Sequence, residues 1–470
     1  MKTHPLSSPP RGSVMVTAMI LTLAMGIALV SFLKLGQTTL EISNRAFHAN
    51  AAMNLAESGL EQAMWSIGKA VDGDASAWTG WTTSGANARR KFTGFTYDAN
   101  TTGYARVYVR NYALASAPTI IVRGTITPVS GPIIEKWVVV SLFQRSLFAN
   151  GLVAKDTLTF SGGNAVVDSY DSRSGAYNTA LGGGLFNRAD NGSAGSASVS
   201  VNSFTLSNSS IYGNVSIGTS DYTGLDVGPG GLVGAFGTSA GTVDYSKVTT
   251  DFTTNFEDAV SPATAGYTIT GINSPTALPR FGDIPAADGA CYYDVPGIAL
   301  SGAVAQKLDI SAGMGVVIRI TAAAGTTGVS VTGNASINVL AGGSLEMYTE
   351  ADVSIAGGGI ANSNDPEAFM FYSTRVASAS GSQSVSISGN GQLSAVVYAP
   401  NSNVTMNGGG ASGHVYGAVV ADNISVTGGS EFHYDEALAS MTTGNPFGVS
   451  QWAELTSATQ RNLYTSIMSW

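Results

Sequence analysis

The residues best suited to chemistry in this 470-residue chain are a histidine and two carboxylates set within four positions, His433, Asp435 and Glu436. A second acidic pair stands at Asp168 and Asp171. Paired carboxylates can cleave glycosidic bonds, one protonating the leaving oxygen while the other acts as base or nucleophile, and a histidine adds a group that titrates near neutral pH. In an extended strand, alternation puts His433 and Asp435 on one face and Glu436 on the other. The same residues also suit a hydrogen-bonded corner fixing the last turn of a structural repeat. That reading is preferred, because the cluster lies where the repeat described below ends. Asp168 and Asp171 offer oxygens to calcium, but two carboxylates fall short of the roughly six to eight oxygen ligands that calcium takes. No GxGxxG, P-loop, HExxH or GxSxG pattern stands in a convincing context, since a chain with 58 glycines matches short glycine patterns by chance. No enzymatic activity, catalytic residue, metal or cofactor is therefore expected.

The elements that must position these residues are strands of an internal repeat. Residues 151–162, GLVAKDTLTFSG, align without gaps on 417–428, GAVVADNISVTG, and a related copy occupies 395–408. Shorter instances are VSVTG at 329–333, VSIAG at 353–357 and VSISG at 385–389. In each, residues i and i+2 share one side, so Val353 and Ile355 face inward while Ser354 faces out, and the closing glycine permits a sharp bend. One such unit cannot bury its apolar face alone, whereas stacked units bury a continuous aliphatic column. The expectation is a right-handed parallel β-helix over about 147–438, less regular between 173 and 325. Asn164, Asn334 and Asn390, each following a glycine, offer either a stacked asparagine ladder or, the preferred reading, left-handed turns.

The N-terminal part is different. From Val14 to Leu33 there is no charged residue, and a short basic leader ending Arg11-Gly12-Ser13 precedes it. About twenty apolar residues at roughly 1.5 Å each span the hydrocarbon layer of a bilayer. That is longer than the core of a cleavable secretory signal, and the stretch runs straight into more helix. Beyond it Ile42, Ala46, Ala49, Met53, Ala56, Leu60, Ala63 and Ile67 recur at three- or four-residue steps, which predicts one helix over 14–69. Lys2, His4 and Arg11 put the leader on the cytoplasmic side by the positive-inside rule. Residues 78–143 then read as a small antiparallel unit, with β-rich runs at 104–110, 119–126 and 136–142 separated by Pro118, Pro128 and Pro132.

Composition sets limits on partners. Charged residues make up only 11% of the chain, too few for a solvated disordered tail, and the net charge of −9 without a basic run beyond the leader argues against nucleic acid. A single cysteine, Cys291, excludes an intrachain disulfide and a cysteine-based zinc site. Stability must come from packing and the hydrogen-bond ladder.

The segment 11–33, followed by Arg45-Ala46-Phe47 and Ala56-Glu57-Ser58-Gly59-Leu60-Glu61, resembles the N-terminal domain of PilX-type minor pilins. The resemblance covers about the first seventy residues. It implies a prepilin peptidase cutting after Gly12 to leave Ser13 as the new N-terminus. Major pilins carry glutamate at the fifth mature position, which is Thr17 here, and the departure points to a minor or initiating subunit. Residues 147–149, 167–172, 397–400 and 432–438 resemble marker segments of an uncharacterised β-helical domain, which implies architecture and no activity.

Together these readings give a mainly β chain with a long pilin-like helix, a small antiparallel α+β head, and a right-handed parallel β-helix. The expected domains are a leader at 1–12, the transmembrane and amphipathic helix at 13–70, the head at 71–146, the β-helix at 147–440 and a C-terminal cap at 441–470. Trp452, Leu455, Leu463, Tyr464 and Ile467 are expected to cover the open end of the stack. The implied role is a minor pilin-type subunit of a type IV pilus or type II secretion filament. It is held first in the inner membrane with its bulk in the periplasm, and then displayed at the cell surface for adhesion or assembly. Its partners would be other pilins, the inner-membrane assembly machinery, the peptidase, the lipid bilayer and surface glycans. Two alternatives stand beside it, a membrane-anchored periplasmic scaffold and a polysaccharide-active β-helix enzyme.

Overall fold

The structure is a computed structural model that describes all residues except 1–12, 72–73, 75, 98–100, 114–116, 130, 145, 180–186, 255, 303–305, 357, 363–364, 380, 390–392, 409–412 and 442–446. Gly12, Asn390 and the leader therefore lie outside the described residues. The chain divides into two units, Met1–Gln144 with Gly444–Trp470, and Arg145–Thr443.

In the first unit one helix runs over Ser13–Val71, and its 59 residues include no proline to break it. The residues from Val14 to Leu33 are exposed along their whole length. Thr17 and Thr22 donate their hydroxyls to the carbonyls of Val14 and Ala18 at 3.0 Å, so the two threonines satisfy themselves without water. This apolar helix near the N-terminus is a candidate single membrane span. From Ala51 onward the same helix has a partner within the unit. Ala51, Ala52, Leu55, Ala56, Ala63 and Ile67 are buried, packed with Val107, Val109, Ile120, Val122, Ile126 and Val138.

Those valines and isoleucines belong to a six-stranded antiparallel sheet in the order Thr82–Ser84, Asn87–Thr96, Thr102–Arg110, Thr119–Thr127, Ile134–Gln144, Phe447–Glu454. The three predicted runs are its central strands. Alternation divides each strand between two faces, and Ile121 and Trp137 meet Leu455 and Met468 on the face away from the helix. Here the structure corrects the expected cap. Phe447–Glu454 pairs antiparallel with Ile134–Gln144, so residues 447–470 complete the sheet of the first unit instead of closing the repeat. The apolar residues Leu455 and Ile467 find a buried face there, whereas Leu463 stays exposed.

In the second unit parallel pairing dominates. Val329, Val353, Val385, Val404, Ile424, Leu158 and Phe204 lie side by side on successive strands, and Val331, Ile355, Ile387, Met406, Val426, Phe160 and Leu206 form the next row. All are buried in one apolar cluster. Sequence-aligned copies are therefore neighbours in space: Leu158 stands opposite Ile424 and Phe160 opposite Val426, as the gapless alignment pairs them.

The right-handed parallel β-helix expected over 147–438 is corrected. The strands join in a single closed, barrel-like sheet that includes the runs from Leu152–Ala154 to Glu431–Asp435, with a separate four-stranded parallel sheet of Thr276–Leu278, Lys307–Ile310, Ser336–Val339 and Ile360–Ala361. Neighbours are also not in chain order. Leu158–Tyr170 sits between Phe204–Ile217 on one side and His414–Gly428 on the other, so the first copy is flanked by one of the last. The physical reason is that strand pairing selects matching apolar alternation, which the copies at 151–162 and 417–428 share, and is indifferent to the distance between them along the chain. Gly333 and Gly428 adopt φ of +69°, the left-handed conformation that closing a repeat unit with a bend requires.

Candidate functional site

Three adjacent parallel strands, His414–Gly428, Glu431–Asp435 and Leu158–Tyr170, build the polar cluster. Register puts His414 beside Glu431 and Tyr416 beside His433. It then puts Glu431 beside Val166 and His433 beside Asp168. Because side chains alternate, Val415, Phe432 and Val167 point into the apolar cluster, while His414, Tyr416, Glu431, His433 and Asp168 share the opposite face. Along the rows of Val353 and Ile355 the outward positions hold serine or threonine, as at Ser354, Ser386, Thr405 and Ser425, and the neighbour of Tyr416 on the adjoining strand is Ser394.

Asp168 is the hub of this face. It is fully buried, and its Oδ2 accepts from Arg188 Nε at 2.5 Å and from the Tyr177 hydroxyl at 2.8 Å. Its Oδ1 lies 2.5 Å from His433 Nδ1. A carboxylate already fed by an arginine and a phenol requires a donor at that contact, so His433 turns its Nδ1–H toward Asp168 and its Nε2 toward His414. That Nε2 lies 2.9 Å from His414 Nδ1. Glu431 Oε2 is 3.5 Å from His414 Nδ1 and 3.6 Å from His433 Nε2. Tyr177 covers His433 with ring centroids 3.8 Å apart, and Tyr416 flanks it at 4.9 Å.

Electrostatics follow from this packing. Burial, then the nearby Asp168 charge, pushes the Tyr177 hydroxyl far above the usual phenol range, so it remains a donor. Burial, then the adjacent His433, holds His414 below the usual imidazole range and favours its neutral form. On its outer side the cluster adjoins an open cavity of ≈ 570 Å³ lined by Tyr177, Asn178, Arg188, His414, Tyr416 and Glu431 among others.

The other sequence-selected residues have separate tasks. Asp435 is fully buried; its Oδ1 accepts from the backbone N–H groups of Ser172 at 3.0 Å and Ala437 at 3.1 Å, the latter capping the short helical turn Glu436–Ser440. Burial raises its carboxyl above the ordinary range. Glu436 Oε1 accepts from the Ser169 hydroxyl at 2.7 Å and Asn191 Nδ2 at 3.0 Å. These two acids tie the last strand to the end of Leu158–Tyr170 and to the chain that follows it. With no exposed surface, Asp435 cannot meet a polymeric substrate. Asp171 binds Arg173 through Nε and Nη2, both at 2.8 Å, and thus is committed away from Asp168.

His433 and Asp168 were each legible in the sequence, as members of different clusters; the structure brings them into contact. His414, Glu431, Tyr177 and Arg188 were missed. The available signal was composition: His-Val-Tyr at 414–416 and Glu-Phe-His-Tyr-Asp at 431–435 gather polar and aromatic side chains at alternating positions of two nearby β-rich runs.

A family model described as a domain of unknown function (DUF7305) matches residues 237–441, a span shorter than half of the chain. It includes His414, Glu431, His433, Asp435 and Glu436 and omits Asp168, Tyr177 and Arg188. Neither a curated protein nor a solved structure matches the chain.

Proposed function

We propose that this chain is a minor pilin or pilin-like subunit of a type IV pilus or type II secretion-type filament, displaying the 145–443 unit for adhesion or assembly. The observation that carries the reading is a single unbroken helix with two different halves. Residues 14–33 are apolar and wholly exposed, while residues 51–67 bury a face of small and aliphatic side chains on an antiparallel sheet. Burying even one leucine-sized side chain is worth about 1.5–3 kcal/mol, so an exposed, uncharged and mostly apolar stretch of this length demands lipid or other helices around it. A filament subunit uses both in turn, the bilayer before assembly and neighbouring helices afterwards. Under this reading the inner membrane holds the span, the bulk of the chain lies in the periplasm, and the assembled subunit reaches the cell surface.

Processing at Gly12 tests it. In cells with a prepilin peptidase, the protein is expected to begin at Ser13 by N-terminal sequencing and to run faster than its precursor on a gel. Gly12→Leu is expected to abolish that shift and to trap the longer form in the membrane fraction. A wild-type chain that keeps residues 1–12 would refute the reading.

A further inference from the structure

We infer that His414 Nδ1, His433 Nε2 and the Glu431 carboxylate form a three-ligand site for a divalent transition metal, Zn²⁺ by preference, with a fourth position open to the adjoining cavity. The inference concerns the 145–443 unit and does not depend on the reading of the N-terminal helix.

Geometry is the first support. The three donor atoms stand 2.9, 3.5 and 3.6 Å apart. Ligands held about 2.0–2.1 Å from a tetrahedral zinc lie about 3.3–3.4 Å from one another, so the site is within a few tenths of an ångström of the required triangle. Two neutral imidazoles and a carboxylate are also a donor set that zinc accepts while keeping a position for water or another ligand.

Orientation is the second. A metal-bound histidine usually donates its other N–H to a carboxylate, which fixes ring and tautomer. Asp168, fully buried, does this for His433, and is itself held by Arg188 and Tyr177. The ligands come from two strands in direct register, with His414 opposite Glu431 and His433 two residues further along, so the backbone presets their spacing. Of the chain's four histidines, two meet here.

Access is the third. His433 is buried, but the His414 and Glu431 side chains are 30% and 43% exposed, and both border the cavity beside Tyr177, Arg188 and Tyr416. In the metal-free form a proton between the two imidazoles uses the same lone pairs. Binding an ion displaces that proton.

The test uses untagged full-length protein in mild detergent, stripped with a chelator and dialysed against Zn²⁺. One Zn²⁺ per chain is expected, and Co²⁺ in its place is expected to give the visible absorption of a four-coordinate ion. His414→Ala and Glu431→Gln, both at partly exposed positions, are expected to weaken Zn²⁺ binding by about 100-fold or more, and Asp168→Asn by about 10–100-fold. His48→Ala, in the helix of the other unit, is expected to change nothing. If His414→Ala loses its circular dichroism signature, Glu431→Gln decides the matter. Zn²⁺ well below one per chain, or binding unchanged in both ligand variants, overturns the proposal.

Discussion

Asp168→Ala is expected to destabilise the 145–443 unit by about 3 kcal/mol, the lower end of the cost of breaking a buried ion pair. Three donors converge on this carboxylate, from Arg188, Tyr177 and His433, and alanine would leave each of them without it. Arg188 keeps 27% of its side chain exposed and can turn to water, which is why the lower end applies. Tyr177 and the buried His433 have less escape, and a buried donor left unmade costs about 1–3 kcal/mol. Asp168→Asn preserves shape and one acceptor oxygen, so a smaller loss is expected. The readout is selective, because all six tryptophans lie in the first unit. Circular dichroism melting of the β signal should fall by several degrees while the tryptophan fluorescence transition stays in place. A β-signal midpoint equal to wild type would remove Asp168 from the role of hub.

The second large effect is at Gly124, where the smallest possible side chain is expected to dislodge the helix. A Cβ there would run into the carbonyl oxygen of Ala52 and stand 2.8 Å from the amide nitrogen of Ala56. Both are helix backbone, which cannot rotate aside as a side chain would. Gly59 and Gly103 line the same contact, against Val107 and Leu55 respectively, so helix and sheet approach each other through a seam of glycines. Overpacking typically costs about 1–3 kcal/mol, and an obstruction by backbone belongs at or above the top of that range. Gly124→Ala should therefore lower the tryptophan fluorescence transition strongly. Gly68→Ala is the matched control: it lies on the same helix, exposed, with open space around its Cα, and should be neutral or stabilising by about 0.5–1 kcal/mol. Equal midpoints for the two variants would mean that the seam can open without penalty.

The sequence made some of this structure legible and hid the rest for identifiable reasons. Hydrophobic runs and periodicity are local, so the apolar span, the long helix and the central strands at 102–110, 119–127 and 134–144 could be read directly. The repeat alignment went further, since Leu158 and Ile424 are partners in space although 266 residues separate them. What alignment does not contain is order. Copies with the same alternation can pair in many sequences, and the choice of Leu158–Tyr170 as a strand lying between Phe204–Ile217 and His414–Gly428 left no local trace. The polar cluster was half visible for a similar reason. His433 and Asp168 each stood out by type, but their contact depends on register across strands. His414 and Glu431 were passed over because neither belongs to a recognised ligand spacing.

The pairing of Phe447–Glu454 with Ile134–Gln144 has a consequence for biogenesis. A strand near the start of the chain waits for a partner that leaves the ribosome only after some three hundred further residues, so the smaller unit is finished last, although most of it is made first. Closing so long a loop adds little entropy beyond a short one, because the penalty grows only with the logarithm of length, by about 0.6 kcal/mol per doubling. Timing is the dearer matter. Until Phe447–Glu454 has been made, Ile134–Gln144 is a bare edge able to recruit any passing strand. A product truncated before Phe447 never loses that edge, so the strand Phe447–Glu454 acts as its seal.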